Sequence, residues 1–211
     1  MARFFGRKGL IRQSCAAIGL AAMSLVHAGD AAENAIKIDD STFRCIRQMT
    51  PVRHFYVDNL RGDIKGAVAA ANNPKGAVYP EGSVVQLVPT EAMVKREKGF
   101  SPATGDWEFF ALQVSKEGSR ISTRGFAEVN NRFGNNCFGC HAPARQPWDF
   151  VCETGHGCEP LPIDHSMTGA LQRSDPRCGA EALQPGDTLA LWKLKAMVWI
   201  GSIVKWFKSL I

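Results

Sequence analysis

Short apolar stretches separated by turn chemistry dominate the middle of the chain. Residues 83–88 (SVVQLV) are β-branched and closed by Pro89, which predicts a strand. Residues 90–96 predict a second. Residues 106–115 (DWEFFALQVS) form an aromatic-rich third, and Lys116-Glu117-Gly118 is a tight connection from which residues 119–129 return as its partner. Alternation along that third strand puts Trp107 and Phe109 on one face, and Glu108 and Phe110 on the other. Helical spacing occurs over residues 59–72, where Leu60, Ile64, Ala67, Val68 and Ala71 recur, although Gly62 and Gly66 weaken it. Residues 72–82 (NNPKGAVYPEG) and 99–105 (GFSPATG) carry turn and loop residues. Residues 29–43 read as a flexible segment. Several short strands joined by turns argue against a helix bundle. They predict an α+β fold: a small, mostly antiparallel sheet with flanking helices.

The two ends have their own patterns. Residues 1–12 are basic, residues 14–26 are small and apolar, and Ala28 offers the small residue expected before a cleavage point. Residues 1–28 therefore read as a secretory signal, followed by a domain over 29–180 that works outside the cytoplasm. Residues 188–211 (TLALWKLKAMVWIGSIVKWFKSLI) follow a Pro185-Gly186-Asp187 linker and repeat with a helical period. Trp192, Ala196, Trp199, Ile200, Ile203, Phe207 and Leu210 share one face; Lys195, Ser202, Lys205, Lys208 and Ser209 share the other, with Lys193 out of place. Such a helix suits a membrane interface; it equally suits packing on the body or on a second subunit.

Composition is that of a globular protein: 211 residues, 45% hydrophobic and 21% charged, enough for one domain with a real core. The formal charge of +5 is unevenly spread. Four bases and no acid lie in residues 1–28, and four lysines and no acid in 188–211. Between them stand seventeen bases against twenty acids, so the body is mildly acidic and offers no basic face for nucleic acid.

Removal of the signal takes Cys15 and leaves Cys45, Cys137, Cys140, Cys152, Cys158 and Cys178. The run Cys137-Phe138-Gly139-Cys140-His141 is C-x-x-C-H, the signature of covalent c-type haem attachment. On one helical turn two thiols reach both vinyl groups of a porphyrin, and the adjacent imidazole falls under the iron. Cys137 and Cys140 are thus candidate haem anchors and His141 the candidate iron ligand, with haem c as the cofactor. Two other chemistries share the motif. A dithiol redox pair wants a preceding strand in a βαβ setting, whereas residues 129–136 read as a polar helix or loop. A zinc site would recruit Cys152 or Cys158 as its fourth ligand. Residues 152–158 form a small disulfide loop in the alternative where those two cysteines pair, which leaves Cys45 with Cys178 by elimination.

The motif follows more than a hundred residues of the mature chain, later than in small electron carriers. In order along residues 50–160 come Tyr79-Pro80-Glu81-Gly82-Ser83-Val84-Val85, Gly105-Asp106-Trp107-Glu108-Phe109-Phe110 and the C-x-x-C-H run. This series resembles the cytochrome P-460 and cytochrome c′-beta family. The resemblance implies a mostly antiparallel sheet with helices, a homodimer, thioether bonds at Cys137 and Cys140, proximal ligation by His141 and an open distal iron site. It further implies either nitric oxide and carbon monoxide binding or, where a lysine is bonded to the porphyrin, hydroxylamine oxidation. That lysine belongs on the strand after the Pro-Glu-Gly turn, which here reads Val84-Val85-Gln86-Leu87. The nearest lysines, Lys95 and Lys98, lie further on, so no cross-link is expected and gas binding or electron transfer with a redox partner is favoured.

Further candidates surround this centre. Trp107, Phe109, Phe110 and Phe126 are candidate haem-pocket residues, with core packing the plainer role for each. Glu108, the one acid in that aromatic setting, is either a buried proton donor or a solvated strand-edge carboxylate. A sixth iron ligand for a pure electron carrier would come from His156, His165, Met49 or Met167.

Overall fold

Hydrophobic alternation becomes a single six-stranded sheet whose strands run in chain order, each antiparallel to the next. The strands of this computed structural model, which describes residues 35–179 and 183–208, are β1 (Thr50–Val52), β2 (Phe55–Asn59), β3 (Ser83–Gln86), β4 (Glu91–Lys95), β5 (Trp107–Ser115) and β6 (Gly118–Gly125). Among the described residues four α-helices accompany them: α1 (Ile64–Ala71), α2 (Cys137–His141), α3 (His165–Arg173) and α4 (Asp187–Lys208). The fold is α+β, and the C-x-x-C-H run forms a short helix late in the chain. The secretory signal assigned to residues 1–28 lies outside the described residues.

Register fixes what each face carries. Met93 sits opposite Phe109 and Lys95 opposite Trp107, while Val94 sits opposite Glu108 and Ala92 opposite Phe110. One face, here the near face, buries Phe55, Val57, Val85, Met93, Trp107 and Phe109 beneath α1, Val129 and Phe150-Val151, with Cys137 and Phe138 packed against them. The far face buries Val84, Ala92, Val94, Phe110 and Leu112 beneath Phe43, Ile46 and Met49. Strand β5 is buried on both sides over its first half, which is why it carries aromatic residues on both faces. A bulge between Ala111 and Leu112 bends the β5–β6 hairpin.

Three expectations change. Residues 35–43 are not a loose segment: Ile36, Ile38 and Phe43 are buried in the far core, and their apolar alternation is that of packed extended chain. The helix predicted over 59–72 begins only at Ile64, because Asn59 is taken by β2 and Asp63 caps Gly66 N–H. The Pro185-Gly186-Asp187 linker is a clasp. Asp187 is buried and bonded by Arg173 Nε and Nη2 at 2.9 and 2.6 Å and by Gln184 N–H at 2.7 Å.

Disulfides join Cys45 to Cys178 and Cys152 to Cys158. The first ties the chain before β1 to the turn after α3. The second closes a loop just after α2.

Candidate functional site

Cys137 and Cys140 are the free cysteines among the described residues. They stand three apart on α2, a helix begun by Asn136. Its side-chain oxygen accepts from Gly139 N–H at 2.8 Å, and its Nδ2 donates to the carbonyls of Phe126, Ala127 and Val129 at 3.0–3.2 Å. One asparagine thus caps the helix and ties it to the chain arriving from β6. An asparagine immediately before an apolar turn is a capping signal that sequence reading could have used.

His141 ends α2, and its Nδ1 lies 2.6 Å from the carbonyl oxygen of Phe150. A carbonyl can only accept, so Nδ1 carries the proton and Nε2 keeps its lone pair. Burial pushes the imidazole pKa down, against the pull of that hydrogen bond, and holds the ring neutral. Phe109, on the near face, stands 5.2 Å from the His141 ring and 6.4 Å from Phe138; Phe138 stands 6.0 Å from Phe150.

The carbonyl that holds His141 belongs to an irregular strap, residues 147–151. Asp149 and Phe150 have φ of 47° and 65°, a left-handed conformation that non-glycine residues adopt only when their surroundings enforce it. Those surroundings are specific. Asp149 accepts from Lys95 Nζ at 2.6 and 2.7 Å and from Tyr79 N–H at 2.8 Å. Trp107 Nε1 donates to the Asp149 carbonyl at 2.7 Å. His156 Nδ1 meets the Val151 carbonyl at 2.7 Å, and its ring stacks on Trp148 at 3.8 Å. Three successive carbonyls are therefore each held by a different side chain: Trp107, His141 and His156. Two glycines give the strap room: a Cβ at Gly76 would stand 2.4 Å from Pro147 O, and one at Gly105 2.7 Å from the Phe150 ring. Burial raises the Asp149 carboxyl pKa, with Lys95 pulling it back down.

The Cys137 thiol is half-buried. Burial, helped by the charge of Glu91, pushes its pKa up to about 12. Redox and nucleophilic cysteines need the opposite shift. Glu91 itself, half-buried on the near face, is a carboxyl raised by burial, with Arg132 N–H 3.4 Å from it. Sequence reading did not single it out.

Other candidates fall away from this centre. Phe110 lies on the far face, as alternation predicts. Glu108 lies there too, but it is neither a proton donor beside the motif nor a solvated carboxylate. It is buried and shared between Arg96 and Arg124, the latter at 2.6 Å. Trp107 sits beneath the strap, and Phe126 is exposed beside Phe138. Met49 is in the far core, His165 faces His54 at 4.8 Å, Met167 is on α3 and His156 is engaged by Trp148 and Val151. Lys95 ends β4 with its ammonium on Asp149, and exposed Lys98 lies beyond the strand.

A cavity of about 360 Å³ opens behind the strap, lined by Arg53, Asn72, Tyr79, Trp148, Glu153 and His156 among others, and by none of the C-x-x-C-H residues. Comparison with protein families, with curated proteins and with solved structures finds no match.

Proposed function

We propose that this chain is an exported mono-haem c-type cytochrome, with Cys137 and Cys140 as thioether anchors and His141 as axial ligand. The observation that carries this reading is the His141–Phe150 hydrogen bond, which presents Nε2 as an iron donor beside two unpaired cysteines on one helical turn. Histidine metal ligands commonly donate their other N–H to a carbonyl in this way. The alternatives lose support on the same ground. Cys152 and Cys158 are bonded to each other and unavailable as a fourth zinc ligand. The sheet is wholly antiparallel and α2 follows a loop, so the βαβ setting of a dithiol enzyme is missing from the described residues. The two disulfides favour an oxidising compartment outside the cytoplasm.

A haem held there would supply an iron that exchanges electrons or binds a diatomic gas. The chain's own residues do the rest. The strap fixes the tautomer and orientation of His141, Asp149 and Trp107 fix the strap, and Phe109 packs beside the imidazole at 5.2 Å. The engagement of Lys95 by Asp149 favours redox or gas chemistry over the hydroxylamine oxidation that a lysine–porphyrin bond would accompany.

The test is the absorption spectrum of protein exported by a host that attaches haem c, oxidised and reduced, with and without carbon monoxide. We expect covalent haem that survives denaturation, is high-spin and shifts with carbon monoxide, and is lost in Cys137→Ala/Cys140→Ala. A wild-type chain exported without haem, or carrying stoichiometric zinc, would overturn the proposal. A low-spin spectrum indifferent to carbon monoxide would reject the open site and leave an electron carrier.

A further inference from the structure

Helix α4 carries two apolar stripes, and the body uses only one. Ala190 and Leu194 are buried on the side that also holds Asp187, where α4 lies against α3. That helix is itself seated on the body: Gln172 Nε2 donates to the carbonyls of His54 and Leu87, both at 2.8 Å. Packing on the body is therefore met at Asp187, Ala190 and Leu194 and not by the tryptophan face. At about 100° per residue, Leu189, Trp192, Ala196, Trp199 and Ile200 fall on a separate stripe. Its large members are open: Leu189 is 55% exposed, Trp192 66%, Trp199 67% and Ile200 54%. Two indoles at that exposure on one stripe form a contiguous apolar patch, which a soluble surface seldom leaves uncovered.

We propose that this stripe docks the protein on an anionic membrane surface, with α4 lying in the plane of the headgroups. Charge selects the occupant. Lys193 flanks the stripe on one edge and Lys195 on the other, both exposed, and residues 188–211 hold four lysines and no acid. Residues 29–187 hold seventeen bases against twenty acids, so 188–211 is the cationic part of residues 29–211 and orients them toward negative headgroups. A second copy of the chain would instead bring two acid-free, lysine-flanked stripes together, and like charges oppose that contact. Tryptophan and lysine on one helix are the composition of an interfacial binder, since the indole is apolar in body and polar at its N–H. The helix runs 22 residues, and no helix among the described residues is long and apolar enough to cross a membrane. Surface docking is the mode that fits.

The experiment uses the full chain with vesicles of phosphatidylcholine alone and of phosphatidylcholine mixed equally with phosphatidylglycerol. The wild type should sediment with the mixed vesicles at low salt and not with the neutral ones. Trp192→Ser/Trp199→Ser and Lys193→Glu/Lys195→Glu should each lower the partition coefficient at least about tenfold, leaving circular dichroism unchanged. Brominated lipid should quench wild-type tryptophan fluorescence and lose most of that quenching in the double serine variant. Failure of the wild type to bind either vesicle, or unchanged binding by both variants, would overturn the proposal. So would a wild-type dimer in light scattering that the serine variant splits, since the stripe would then be a self-interface.

Discussion

The two faces of the sheet put their buried polar groups to different uses. On the far face, carboxylates pair with arginines: Glu108 is shared by Arg96 and Arg124, and Asp175 is paired with Arg177 at 2.7 Å, while the same arginines also donate to the carbonyls of Ile36, Ile38 and Phe43. Each charge there is answered by a neighbour. On the near face, side chains bond the backbone of an irregular segment. Trp107, His141 and His156 hold three consecutive carbonyls, and Lys95 holds the carboxylate of the first, Asp149. Register alone could not place that segment, and its left-handed residues show that something else does. The far face is built to be stable. The near face spends buried polar groups on aiming one imidazole.

The largest expected effect separates these roles. Glu108→Ala leaves Arg96 buried without its principal counter-charge, and Asp149→Asn does the same to Lys95, so each should cost about 3–5 kcal/mol in denaturant unfolding. Stability alone does not tell them apart. If the chain carries haem as proposed, Asp149→Asn should also shift its midpoint potential, because Phe150 no longer presents its carbonyl squarely to His141; Glu108→Ala should leave that potential unchanged. Equal shifts in both variants would erase the distinction between the faces.

A smaller effect concerns acid. Burial raises the Asp175 carboxyl, but the Arg177 and Ile46 N–H hydrogen bonds outweigh it and hold the pKa below the ordinary value of 3.8. A lowered folded pKa means stability that is complete above the ordinary value and lost as pH falls through the folded one. Wild-type unfolding free energy should therefore fall from about pH 5 downward, and Asp175→Asn should flatten that slope while lowering the plateau. A slope unchanged by the substitution would place the acid sensitivity elsewhere.

How much of this could be read beforehand depends on range. Alternation put Trp107 and Phe109 against Glu108 and Phe110, and the sheet keeps that division because a strand has no other way to face. Alternation says nothing about partners. Glu108 meets Arg124 because β6 pairs Phe110 with Arg124, and Arg96 arrives from the adjacent strand. Strands β1 and β2 are three and five residues long, and Pro51 interrupts the first, so they carry little periodic signal. The C-x-x-C-H spacing makes Cys137, Cys140 and His141 candidates because that chemistry is local, and the structure puts both unpaired cysteines on one turn that ends at His141. The strap was invisible. Its anchor Lys95 is 54 residues from Asp149, and residues 147–151 have no period to detect. Within 29–43 only residues 35–43 are described, and they are packed where looseness was expected, although Ile36 and Ile38 already alternate.

The smallest effect is the sharpest probe of the near face. His156 contributes a stacked ring, 4° from parallel with Trp148, and a hydrogen bond to the Val151 carbonyl. His156→Phe keeps an aromatic ring for the stack and deletes the hydrogen bond, which should cost only about 0.5–1.5 kcal/mol. Were His156 mere packing, nothing else would change. If the three held carbonyls act as one device, loosening Val151 frees its neighbour Phe150, and the His141 ring gains freedom. A haem held as proposed should then show a small potential shift in the same direction as Asp149→Asn, and the two shifts should not add in the double variant, because both act through one carbonyl. Additive shifts would mean that Asp149 and His156 reach the imidazole by separate routes.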